Sequence, residues 1–233
     1  IEPAPDAVSN CITIADSRGV YLAGPELVPT HNSTAAAAQI LQWLMEDMPG
    51  ESPALILGAA HTLQIAIEIW DSVVGIATAD PELTARLARV RRSNGNIAVT
   101  TTSSSRYLPI AATADAARGW SATRVFIDEL RTHTDWSAYG ALDKTRIAKP
   151  GSQVLAASNS GSERSVVFAA LRAAALGSLD DPDTTVGIAE WSAGEDRDIA
   201  DREGWREAIP ALGYTLPWDA VENSLRIDDP AVF

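Results

Sequence analysis

Arg124-Val125-Phe126-Ile127-Asp128-Glu129-Leu130 is the stretch from which the fold is read. Val125-Phe126-Ile127 is a short, continuously apolar run, the pattern of a strand buried on both faces, and it ends in two acids. Outward from it, strands and helices alternate. Ala54 to Leu57 reads as a strand, Gln64 to Trp70 as a helix, and Pro81 to Val90 as a further helix. Ile97 to Thr101 and Arg106 to Ala112 read as extended, and Trp136 to Ile147 as helical. Gln153 to Ala157 is expected to be a strand and Arg164 to Leu176 a helix. This alternation implies βαβ units, an α/β fold and a mostly parallel sheet with flanking helices. Residues 179 to 203 are crowded with acids and read as a solvated connector.

Composition sets outer bounds. The 233 residues make one domain, or one with a small appendage, and 46% apolar with 21% charged residues is ordinary for a packed core. No stretch approaches the ~18 uninterrupted apolar residues of a membrane span. A net charge of −13 argues against a free-standing nucleic-acid binder. One cysteine excludes a disulfide framework and a Cys-rich zinc site. His61 and His133 lack the spacing of metal ligands. The chain opens on Ile1 with no signal peptide, and is expected to be the middle of something longer.

The two acids stand where open parallel sheets bind ligands, outside the carboxyl end of a strand. In an ATPase, Asp128 there would hold Mg²⁺ and Glu129 would polarise the attacking water; a solvated turn is the alternative. Half of a second motif is present. Ser33-Thr34, leading directly into the helix-former run Ala35 to Leu44, matches the part of a phosphate-binding loop that comes after its lysine. Yet Pro29-Thr30-His31-Asn32 precede it, without glycine or lysine, so an ordinary N-capped helix is the better reading until the segment before it is explained.

Residues 1 to 32 differ in character. Cys11-Ile12-Thr13-Ile14 and Val20-Tyr21-Leu22 are separated by the turn former Asp16-Ser17-Arg18-Gly19, which reads as a β-hairpin or two short strands. His31-Asn32 before a hydroxyl residue, Ser33, preceded by Val20 to Gly24 and Leu27 to Thr30, resembles the C-terminal end of an intein. The resemblance implies that Asn32 cyclises to cut its own peptide bond with help from His31, and that Ser33 receives the upstream segment as an ester. Cys11 and Thr30 match the nucleophile and its partner in the class 3 inteins, and Asp16 falls in the same block. Cys11 as a small buried hydrophobe, and Asp16 as a turn former, are the alternatives.

From Ser33 onward the chain resembles the ATPase domain of the large terminase subunit of tailed bacteriophages. The likeness rests on Ala59 to Ala66, Ala117 to Ser121, Val125 to Glu129, Tyr139 to Thr145, Gln153 to Gly161, Glu190 to Ser192 and Ile209 to Tyr214. It implies a P-loop NTPase-like fold that binds ATP and Mg²⁺. Thr34 or Ser33 would be the loop hydroxyl on Mg²⁺, Asp128 the metal ligand and Glu129 the catalytic acid. Ser158 and Asn159 would sense the γ-phosphate, and Arg118 is a weaker candidate for a phosphate contact. The resemblance also implies double-stranded DNA, a small terminase subunit and a portal as partners, a homo-oligomeric ring, and the host cytoplasm.

The expected organisation is therefore an intein segment at 1–32 with its splice junction at Asn32/Ser33, then an ATPase domain at 33–233. That domain would lack its N-terminal P-loop half and the family's C-terminal nuclease domain, so the isolated chain is expected to be inactive until an upstream segment, carrying the intein N-terminal half, is joined on. Residues 1–32 carry −3 of the charge, leaving −10 on the remainder, a poor match to a DNA motor. A split-intein half, an inactive gene remnant and an ATPase of another P-loop motor or helicase family remain open at this point.

Overall fold

The computed structural model describes residues 9–14, 20–23, 28–46, 53–93, 95–194, 196–214 and 216–228. The turns Asp16 to Gly19 and Gly24-Pro25, and the C-terminal Ala231 to Phe233, lie outside the described residues.

Ten strands and eight α-helices among the described residues follow the alternation that the sequence implies. The N-terminal part holds β1 (Ser9–Ile14), β2 (Val20–Ala23) and β3 (Val28–His31), then α1 (Asn32–Met45). Next come β4 (Leu55–Ala60), α2 (Leu63–Ala79), α3 (Pro81–Ala85), β5 (Leu87–Ser93), β6 (Asn96–Thr101) and β7 (Arg106–Ala111). They are followed by α4 (Ala114–Ala117), β8 (Arg124–Ile127), a 3₁₀ turn at Leu130–Thr132, α5 (Trp136–Lys144), β9 (Gln153–Asn159) and α6 (Val166–Gly177). The chain closes with β10 (Val186–Trp191), α7 (Arg202–Ala208) and α8 (Trp218–Ile227).

Eight strands form one sheet in the order β10-β1-β9-β8-β4-β7-β6-β5, and β2 pairs with β3 in a separate ribbon. The β5–β6 and β6–β7 pairs are antiparallel; the other pairs of the large sheet are parallel. Helices cover both faces, as a parallel sheet requires. On one face α1 and α2 pack Ile40, Leu44 and Trp70 against Ile56, Tyr107, Phe126, Leu155 and Ala157. On the other, Leu142 of α5 and Val167 and Phe168 of α6 meet Leu57, Val125, Ile127, Val154 and Ala156. Residues beyond β10 build a small core of their own around Trp205, Leu212, Leu216 and Val221.

Two expectations are corrected, and one open alternative is decided. The helix expected from Pro81 to Val90 stops at Ala85, and its second half is β5. Asp80 caps the short helix through the Glu82 and Leu83 N–H groups. The segment after it then joins β6, in a hairpin closed near Gly95 at φ +72°. The acid-rich connector of 179 to 203 contains β10, whose Glu190 takes a bidentate pair from Arg172 of α6, both contacts 2.6 Å. That pair holds the Glu190 carboxyl below its ordinary range, with Arg172 the leading cause. Cys11 to Ile14 and Val20 to Leu22 are two short strands and not a hairpin, since they do not pair with each other. The first runs parallel between β9 and β10, and β2 pairs instead with β3, Tyr21 opposite Thr30.

Candidate functional site

The direction of two crossovers locates the site. The chain leaves β1 for α1, which lies on one face of the sheet, whereas it leaves the adjacent β9 for α6, on the other face. Neighbouring strands whose connections diverge in this way leave a crevice at their carboxyl ends, where open α/β sheets bind ligands. Ile14 and Asn159, in register at the ends of β1 and β9, border it. The crossover helix α1 begins with Asn32, Ser33 and Thr34, and its first N–H groups have no partner within the helix.

Asp128 comes directly after β8 at this edge and continues the ladder, its N–H donating to the Ala59 carbonyl at 2.8 Å. Strand alternation puts Phe126 on the α1 face and Val125 and Ile127 on the other. Asp128 is therefore on the α1 face as well. It is buried, at 6% exposure. Burial is the main cause that lifts its pKa from 3.8 to about 6; the neighbouring Glu129 charge adds to this and the Glu129 N–H opposes it. A buried carboxyl group with a raised pKa beside a second carboxylate is a candidate functional acid.

Glu129 turns the chain. It has φ +51° and ψ +52°, a left-handed conformation that a non-glycine residue adopts at a cost. Its carbonyl then accepts the Thr132 N–H and Oγ1–H, starting the 3₁₀ turn, and its carboxylate pairs with Arg131. The bend places Glu129 beside Asp128 but off the strand, partly open to solvent.

The pair Ser158-Asn159 separates into two roles. Ser158 is fully buried on the α6 face, where its Oγ accepts the Arg131 N–H at 3.0 Å and donates to the Asn159 carbonyl at 2.8 Å. Its hydroxyl ties the end of β9 to the turn after β8. Asn159 stands on the opposite face: alternation puts it on the α1 face with Asp128.

The remaining candidates divide. Thr30 and His31 lie on β3, directly before α1, whereas Cys11 lies in the middle of β1 in the large sheet, in register with Ala156 and Ile188. The structure does not bring Cys11 and Thr30 into one sheet. Arg118 is exposed beyond α4 and pairs with Asp115 at 2.6 Å. His133 is buried, and burial depresses its imidazole pKa. Among the described residues no group of three or more His, Cys, Asp and Glu gathers for a metal, and no helix is long and apolar enough to cross a membrane. The donors at the edge are oxygens, Asp128 above all. They suit a hard cation such as Mg²⁺, which takes one or two carboxylates and completes its shell with water and phosphate oxygens.

One feature went unnoticed in the sequence. Arg89 and Arg91 of β5 and Arg106 of β7 line an open groove of about 480 Å³ with Ala98 and Thr100 of β6. Neither Arg89 nor Arg106 is in an ion pair among the described residues, whereas Arg92, Arg118, Arg131, Arg146, Arg172 and Arg197 all are. The period-two spacing of Arg89 and Arg91 marked this stripe, once the segment is recognised as a strand.

No protein-family model and no curated protein sequence matches the chain. Solved structures do. The large terminase of bacteriophage HK97 superposes with a TM-score of 0.74 over 95% of this chain, at 16% identity. The fold is that of a phage large-terminase ATPase domain. The ATPase domain of the Thermus phage P74-26 large terminase matches 98% of this chain and 87% of its own length, with a TM-score of 0.57 and 15% identity. The large terminase of the thermophilic bacteriophage D6E, in complex with ADP, matches 92% of this chain with a TM-score of 0.58 and 10% identity. This chain spans 44% of the HK97 protein and 44% of the D6E protein.

Proposed function

We propose that the chain is part of an ATP-driven DNA-packaging motor, the segment of a large-terminase ATPase that comes after the phosphate-binding loop. The observation that carries this reading is that Asp128 and Glu129, directly after β8, and Asn159, at the end of the adjacent β9, share the carboxyl edge of a terminase-type sheet. The D6E relative's complex with ADP supports a nucleotide as the ligand. Asp128, with Thr34 or Ser33, would hold Mg²⁺, which when bound neutralises charge on the transferred phosphoryl group. Glu129 orients and deprotonates the attacking water, and to do so its carboxylate must leave Arg131. Asn159 reports the γ-phosphate to β9. The Arg89–Arg91–Arg106 groove supports double-stranded DNA as the substrate that the motor moves: it gathers unpaired positive charge on an acidic chain, which suits phosphate backbones. A ring of copies, and contacts with a small terminase subunit and a portal, belong to the same reading.

The test is ATP turnover by the chain joined to an upstream segment that supplies a glycine- and lysine-bearing loop. Glu129→Gln is expected to abolish turnover and keep nucleotide binding. Retained turnover in that variant refutes the assignment, and absent turnover in the parent favours an inactive remnant.

We further read residues 1–32 as the C-terminal segment of an intein, with Asn32/Ser33 as its junction. One observation favours this: the β2–β3 ribbon intervenes between β1 and α1, the place where a strand-to-helix phosphate loop would lie. Cys11 must leave β1 before it can act with Thr30. Mixing the chain with the intein's N-terminal half is expected to release residues 1–32, and Asn32→Ala to block that release. Continued cleavage in Asn32→Ala refutes the reading.

A further inference from the structure

The Tyr107 hydroxyl is a polar group on the α1 face that the packing does not explain. Tyr107 is fully buried on β7, and its Oη has no hydrogen-bond partner among the described residues. An unpaired buried hydroxyl opposes folding, and phenylalanine would fill the same space without that cost. The sheet nevertheless makes room for it. A Cβ on Gly58 of β4 would lie 2.5 Å from Tyr107 Oη and 2.7 Å from the ring, so the phenol end lies across the bare backbone at Gly58.

The register gives its direction. Tyr107 is level with Ile56, but its Oη has reached Gly58, two residues nearer the carboxyl edge. Gly58 is level with Phe126, and Asp128 stands two residues beyond Phe126 on the same face. The hydroxyl therefore points along the α1 face toward the acid at the edge. The Asp128 charge acts on it too, adding to the larger effect of burial in raising the phenol pKa.

We propose that Tyr107 is a positioning residue: its hydroxyl donates a hydrogen bond to one Asp128 carboxylate oxygen when the other oxygen holds the divalent cation. The proposal rests on the nucleotide-site reading of Asp128. A ligating carboxylate leaves one oxygen unfilled, and a donor from the shell behind it fixes its rotamer. Among the described residues the hydroxyl has no other partner.

The experiment is a Mn²⁺ titration of the full chain, monitored by electron paramagnetic resonance at pH 7.5, with Asp128→Asn defining the Asp128-dependent site. Tyr107→Phe is expected to weaken that site about tenfold. Its thermal midpoint is expected to stay level or rise, because only an unpaired hydroxyl is removed. Unchanged Mn²⁺ affinity in Tyr107→Phe overturns the proposal while leaving the Asp128 site standing. A fall in affinity and thermal midpoint together also overturns it, because the tyrosine would then serve packing alone. Equal Mn²⁺ binding by the parent and Asp128→Asn overturns the metal site itself, and this proposal with it.

Discussion

Replacing Asp128 with asparagine is expected to stabilise the protein, and to do so only as the pH rises. Burial and the Glu129 charge lift the Asp128 pKa from 3.8 to about 6 on folding. The folded state therefore holds this proton more tightly than the unfolded state. The stability linked to it is fully present below pH 3.8 and is lost as pH climbs through about 6. At 1.36 kcal/mol per pK unit, the loss is complete at about 3 kcal/mol. Asparagine has nearly the same shape and no charge to bury, so it escapes the loss. The advantage of Asp128→Asn should grow from under about 1 kcal/mol at pH 4 to about 3 kcal/mol at pH 8. Urea unfolding of both proteins at pH 4, 6 and 8 measures it. A variant less stable than the parent at pH 8, or an advantage that does not grow with pH, refutes the reasoning. Under the proposed role of Asp128, a bound cation offsets this cost. Millimolar Mg²⁺ with nucleotide should accordingly narrow the gap at pH 8.

The geometry sets three further expectations. Glu129→Gly should raise stability by about 1 kcal/mol, read by thermal unfolding, because glycine adopts the left-handed conformation at φ +51° without penalty. Ser158→Ala should lower it by about 1–3 kcal/mol, since it leaves the Arg131 N–H without its acceptor at the join of β8 and β9. The double variant Arg89→Ala/Arg106→Ala should weaken binding to a DNA duplex whatever its sequence. The slope of log affinity against log salt should then fall by about two, measured by fluorescence anisotropy; an unchanged slope removes this groove from the DNA path.

The parallel part of the fold was legible because its strands are buried on both faces. Val125-Phe126-Ile127 and Gln153 to Ala157 have no wet side to blur the pattern, and each lies beside a helix with a clear apolar stripe. The edges were not legible. Leu87 to Ser93 carries three arginines, which favour a helix as readily as a strand, and only its hairpin with β6 decides the matter. β10 lies half-buried at the other edge among acids, and its Glu190 is paired with Arg172 of the preceding helix α6, a contact that no local pattern announces. Within the candidate site, Asp128 and Glu129 were visible as acids after a strand. What separates Ser158 from Asn159 is the face on which each stands, and that requires the register of β9. Tyr107 left no trace in the sequence, since nothing local distinguishes a phenol that packs from one aimed along a sheet toward a carboxylate on another strand.

The most direct measurement is a crystal structure of the chain joined to its phosphate-loop segment, with Mn²⁺ and a non-hydrolysable ATP analogue, using the anomalous signal of the metal. The account predicts a single strong peak at coordination distance, about 2.1 Å, from an Asp128 oxygen at the end of β8, with the γ-phosphate facing Glu129 and Asn159. A nucleotide seated elsewhere on the sheet, or a metal with no contact to Asp128, would contradict it.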